Sequence, residues 1–549
     1  MQSRYWILLI ILMPYTASAQ IGDCEPSLGE AMLDAGNVRA RILNNGGLFW
    51  RGYPPVYEID GANALFASGI WIGGKINRSL HVAASRYGPW EFWAGPLDEA
   101  GNPPADCSLY DKLWEIRTED ISAFLNGEGT STNLKNWPWH LGAPVIDGDG
   151  NPNNYNLAGG DLPALLGDQR LWWIMNDRGN IHEATDSEPI GIEVHASAFA
   201  FTTPSVVGNF TFYEYKIINK NTAPVTDTYF TLFTDADLGN LNDDYIGSDT
   251  LIHLGFTYNA DNDDEGPHGY GIAPPAVGST FLETIAAEDD GLDNNRDGFA
   301  DEPGEKLGTT SVMTYYGGSA LKGDPVLGPE YYNYMQGKWR YGGPVIEGLD
   351  GLDGVPPFKT TRFFLPGDPV TGAFWSEFNR DGAGNSYDPS DRRLITSTGP
   401  FVMQPGDTTT VRFAIIWARG ESNLDAITQL RKDTRAVRST AEALYTPRTR
   451  EEFVTKQLPT VNHVLGFDQN FPNPFSQSTT LRYSLPQIMQ VRLAVYDMFG
   501  REVALLVDAQ QEAGIHTAEF DAGSLPAGVY LARIELDFLR FTKRMLLLK

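Results

Sequence analysis

The residues best suited to chemistry are aspartates that recur at alternate positions. Asp293, Asn295, Asp297 and Asp301 place side-chain oxygens at positions 1, 3, 5 and 9 of a short loop, with Gly298 at its sharp turn. Phe299 adds its carbonyl at position 7. Position 12 is Gly304 instead of the usual glutamate, so Glu302 or Glu305 would supply the further carboxylate. Hard oxygen donors at this spacing suit Ca2+, which takes about six to eight of them. A second acidic set, Asp235, Asp237, Asp243 and Asp244, comes earlier in the chain. Calcium is the cofactor expected at both. The competing reading is a pair of solvated acidic loops.

Other chemistries fail on residue type or spacing. There is no G-x-S-x-G elbow. His182-Glu183 lacks the second histidine of a zinc protease motif. Gly69 to Lys75 fits G-x-x-x-x-G-K, but Ile76 follows where a phosphate loop needs Ser or Thr. Glu193, Glu214 and Glu377 lie on or near strands and are the carboxylates open to a glycosidase reading, which needs a pair at about 5–10 Å. Adjacent Trp172 and Trp173 read either as a sugar-stacking platform or as one core residue and one covered by a loop.

These residues need a scaffold, and the patterning makes it mainly β. Gly191 to Thr202, Asn209 to Asn219 and Val225 to Asp235 alternate as long strands and are expected to form one antiparallel sheet. Ala62 to Arg86 reads as a hairpin or meander, and Ser397 to Ala418 as another hairpin. Helices are few. Leu109 to Asn126 has helical spacing, and Tyr331 to Trp339 is a short candidate. Leu424, Ile427, Leu430, Val437 and Leu444 form an apolar stripe behind a Ser422 or Asn423 cap. The expected architecture is a large antiparallel β-sandwich body over residues 20–445, as one unit or two subdomains, with acidic loops at 235–305. A linker at 446–466 and a smaller β-module at 467–549 follow.

Charge and targeting narrow the setting. With 70 acidic against 41 basic residues the net charge is −29, which disfavours nucleic acid and anionic membranes as partners. Arg4, the apolar run Trp6 to Met13 and Ala17-Ser18-Ala19 read as a signal peptide over residues 1–19, with the mature chain starting at Gln20. No later stretch is apolar enough for a transmembrane helix. The two cysteines, Cys24 and Cys107, are expected to pair in an oxidising compartment, the alternative being two free thiols.

The last stretch carries the most specific signature. Phe471-Pro472-Asn473-Pro474-Phe475 leads into short strands separated by turns such as Met498-Phe499-Gly500-Arg501 and Asp521-Ala522-Gly523, the pattern of an Ig-like sandwich. Pro472, Asn473, Pro474 and Phe475, then Val495-Tyr496-Asp497 with Gly500-Arg501-Glu502-Val503, Gly528-Val529-Tyr530, and Lys543-Arg544-Met545 with terminal Lys549 resemble the type A sorting domain of the type IX secretion system of Bacteroidetes and their relatives. The resemblance implies export through the outer membrane by that translocon, followed by release or attachment to surface lipopolysaccharide. Around Gly160 to Asp177, Asp235 to Asp249 and Tyr331 to Trp339 the body resembles functionally uncharacterised extracellular proteins that carry the same module. No catalytic residues come with that resemblance. The expectation is a secreted or surface-attached, calcium-stabilised β protein that is structural, adhesive or glycan-binding, with surface polysaccharide as its partner. The alternative is a secreted hydrolase of polysaccharide or protein.

Overall fold

The computed structural model describes residues 20–203, 205–283, 285–286, 305–317, 319–455, 466–467, 470, 472–485, 488–512, 514–523, 525–536 and 539–548. Residues 1–19, expected to be a signal peptide, the 293–302 loop, Phe471 and Lys549 fall outside these.

Two antiparallel sheets build the body. The first contains Ala67–Ile76, Val225–Asp235, Ser311–Tyr315 and Arg393–Met403; the second contains Gln169–Asn176, Ile192–Ala200, Phe210–Asn219, Leu254–Asn259, Ala276–Glu283 and Thr408–Ala418. Ile70, Ile72, Phe230 and Leu232 of the first meet Trp173, Val194, Tyr215 and Phe413 of the second in one core. The outer faces are covered too. Helix Asn423–Ser439 lays Ala426, Ile427, Leu430 and Val437 on Phe199, Phe212 and Ile416, as its apolar stripe predicts. Helix Gly328–Met335 and Trp339 cover Trp71, Phe233 and Ile395. The central strands are therefore buried on both faces.

That double burial corrects two expectations. Ile192–Ala200 pairs with Phe210–Asn219 as foreseen, but Val225–Asp235 crosses to the other sheet, where it lies between Ala67–Ile76 and Arg393–Met403. Nor do Arg393–Met403 and Thr408–Ala418 pair with each other, because they belong to opposite sheets. A strand that is apolar on both sides carries no alternation to say which sheet receives it. The two crossings are pinned together by Asn219. Its Nδ2 donates to the carbonyls of Met403 and Ala223, and its backbone bonds Gly406 and Asp407. Leu109 to Asn126 also divides. Trp114–Arg117 is a strand on the edge of Gln169–Asn176, and only Thr118–Leu125 is helical.

The C-terminal module is a small sandwich of a three-stranded and a four-stranded sheet around Leu481, Val491, Leu493, Val495, Phe520, Ile534 and Leu547.

Candidate functional site

The acidic centre forms where two neighbouring strands of the first sheet run out. Asp235 ends its strand opposite Arg393, and antiparallel pairing carries Asp237 and Asp391 off the same edge. Carboxylate oxygens of Asp235, Asp237 and Asp391 all lie within 4.8 Å of one another. One guanidinium pairs with two of the three. Arg393 Nη1 is 2.6 Å from Asp391 and its Nε 3.3 Å from Asp235. The Tyr87 hydroxyl donates to Asp235 Oδ2 at 2.6 Å. Asp235 is only 3% exposed. Burial, opposed by Arg393, pushes its carboxyl up to about 6. Burial, with the charges of Asp235 and Asp391 adding to it, pushes Asp237 up to about 7. Asp237 also lines an open cleft of about 820 Å3, together with Tyr53, Glu58, Asp60, Phe66 and His268.

The structure separates the four aspartates that the sequence groups. Asp243 and Asp244 do not join Asp235 and Asp237 around a common point; they lie in the following turn, near Asp264. The Leu238 N–H donates to Asp244 Oδ2, and the Asn240 side chain donates to Asp243. Asp264 accepts from the backbone N–H groups of Asn240 and Tyr270. Gly239 permits this wrapping, since its φ is +76° and a Cβ there would overlap the Asp264 carboxylate. Burial raises Asp243 to about 6 and raises the fully buried Asp244 well above the ordinary carboxylate range. Asp391, the partner that sequence reasoning missed, is brought in only by strand pairing; the local signal was the Asp391-Arg392-Arg393 run.

Residues Asp293, Asn295, Asp297, Phe299, Asp301 and Glu302 lie outside the described residues. Another acidic turn, Asp147 with Asp149, is met by Asp161. Its carboxylates are largely taken up by local backbone N–H groups and by Asn154 and Asn156.

The other candidates are structural in their surroundings. Glu193 is held by His195 and Lys220, Glu214 by Arg412 and Arg170, and the fully buried Glu377 by Arg392. None of the three lines the cleft beside Asp237. Trp172 and Trp173 point to opposite faces of their strand and are 1% and 0% exposed, which removes the stacking platform. Cys24 and Cys107 are joined in a disulfide packed against Trp93.

In the tail the proline-flanked segment closes an edge. Asn473 accepts from the Leu546 N–H and donates to the Arg544 carbonyl, so its side chain acts as a short strand mimic. Phe475 then bonds the Leu546 carbonyl and the Leu548 N–H through its backbone and buries its ring. Prolines at 472 and 474 cost nothing here, because neither position supplies a ladder donor. The Pro472 carbonyl instead accepts from Thr479. Gly500, at φ +77°, makes the turn between Met489–Tyr496 and Glu502–Gln511.

This module defines an exported protein that carries its address at the C-terminus. Residues 469–547 match the family described as the secretion system C-terminal sorting domain, and they are the type IX sorting module of this chain. The protein is therefore exported, to the cell surface or beyond it. No helix among the described residues is long and apolar enough to cross a membrane. No curated protein matches the chain. Among solved structures, a polysaccharide lyase aligns at 8% identity and TM-score 0.21, over 87% of this chain and 46% of that one. Dimeric latent PorU from Porphyromonas gingivalis aligns at 10% identity and TM-score 0.15, over 69% and 31%. The chain thus spans less than half of either, and similarity this low carries no argument about activity.

Proposed function

We propose that this exported protein is a calcium-stabilised β scaffold of the cell surface or its surroundings, acting in adhesion, in surface structure or in glycan binding. The observation that supports this most is the convergence of Asp235, Asp237 and Asp391 on one point, where Arg393, paired with Asp235 and Asp391, is the only cation bridged to them among the described residues. Three carboxylates against one guanidinium leave two uncompensated charges at a partly buried edge, and a divalent cation with hard oxygen ligands balances them. Asp243, in the following turn, adds a further carboxylate nearby. The loop from Asp293 to Glu302 keeps the ligand spacing of a further calcium site. Surface polysaccharide is the partner class this reading entails.

Calorimetric titration of the full chain with calcium tests it. Binding is expected in the wild type and weakened about tenfold or more by Asp391→Asn, which removes one ligand charge. No heat of binding, or equal affinity in the variant, would contradict the reading.

A hydrolase remains the second reading because Asp237, raised to about 7, faces the cleft as a general acid would. Its potential partners there, Glu58 and Asp60, are bound to Arg39 and Arg419. Release of reducing ends from surface polysaccharide, abolished by Asp237→Asn, would favour this reading over the scaffold.

A further inference from the structure

We propose that the hairpin tip Met498–Phe499 is the anchor by which the secretion machinery holds the sorting module, with an apolar pocket on a protein component of that machinery as the partner. Phe499 is 86% exposed and Met498 63%, and no other large hydrophobic side chain among the described residues is as exposed as Phe499. The module does not lack a core that could have taken them in, for Val491, Leu493 and Val495 of the same hairpin are fully buried.

The tip is built to be held still. Asp497 Oδ1 accepts from the N–H groups of Phe499 and Arg501 at 2.9 and 3.0 Å. The Gly500 N–H bonds the Asp497 carbonyl at 3.0 Å. The Arg501 guanidinium pairs with Asp497 at 2.6 Å and lies 5.4 Å from the centre of the Phe499 ring. The neighbouring guanidinium is already paired, though it stays 74% exposed, so the tip presents Met498 and Phe499 beside a neutralised cation. A locked turn has settled its ordering entropy before any encounter, which favours binding through the side chains it displays.

The module's charge points the same way. Residues 467–549 hold eight Lys and Arg against nine Asp and Glu. Long-range steering therefore contributes little, and recognition falls to a packed anchor. Aromatic residues are the commonest anchors of protein interfaces.

The test is display of the full chain in its native host, scored as the fraction accessible to protease on intact cells. Phe499→Ser combined with Met498→Ser is expected to cut that fraction roughly tenfold or more, the effect of losing one interface anchor. The protein should accumulate in the periplasm with an unchanged melting temperature. Phe499→Leu is expected to retain display, since it keeps an apolar knob. Leu251→Ser, a change at a 73% exposed position in the body, is expected to display normally. Normal display of the double variant would overturn the proposal, as would an equal loss in Leu251→Ser.

Discussion

The body and the tail handle polar chemistry in opposite ways. The body carries nearly all of the net charge, since the tail accounts for one of the 29 negative charges. It folds much of its chemistry inward. Glu193, Glu214 and Glu377 are buried against cations, and Asp235 and Asp244 are buried at an acidic edge with too few. The tail is close to neutral and puts its distinctive residues to use at edges and turns. Asn473 and Phe475 seal the last strand, while Phe499 stands in solvent. The body instead buries carboxylates at an edge where Arg393 pairs with Asp235 and Asp391.

The largest test of this contrast is to separate the two. Deleting residues 471–549 should abolish surface display almost completely while the body still folds, as judged by protease-resistant material in the periplasm. Within the tail, Phe475→Ala removes a buried aromatic that also ties down the final strand. A loss of about 3–5 kcal/mol is expected in denaturant unfolding of the tail, with the body's transition unmoved. In the body, reducing Cys24–Cys107 frees a span of 83 residues. Its melting transition should lose about 2–4 kcal/mol, the tail's none.

A smaller effect separates them by pH. Asp235 and Asp237 have folded values of about 6 and about 7, above the unfolded value of 3.8. Without a bound ion the folded state holds protons that the unfolded chain has released, so this stability is present at acid pH and is lost as pH rises toward 7. In chelator, the body's melting temperature should therefore be higher at acid pH than at alkaline pH. Asp237→Asn should flatten that slope. The tail offers no comparable raised carboxylate among its described residues and should not follow.

What the residues disclosed in advance was mostly local. The proline-flanked motif, the Gly500 turn and the stripe from Leu424 to Leu444 are written in adjacent or near-adjacent positions and appear where their spacing puts them, except that the stripe's helix breaks at Thr440 and Leu444 lies on a separate short helix. Asp235 and Asp237 were visible for the same reason. Asp391 was not, because more than a hundred residues intervene and only the pairing of Asp235 with Arg393 brings it close. The sheet assignments of Val225–Asp235 and Thr408–Ala418 were hidden by side chains that are apolar on both faces. Leu109 to Asn126 misled because its helical spacing ran through Trp114–Arg117, which a neighbouring strand claimed as an edge.

We propose calcium as the ion that completes the acidic edge of the body. The most direct measurement is the melting temperature of the purified full chain in saturating calcium and in chelator, for the wild type and for Asp235→Asn with Asp237→Asn. A ligand at a hundred times its dissociation constant adds about 2.7 kcal/mol, so the wild-type body should melt several degrees higher with calcium, and the double variant should lose most of that difference. Identical melts with and without calcium in the wild type would contradict the account.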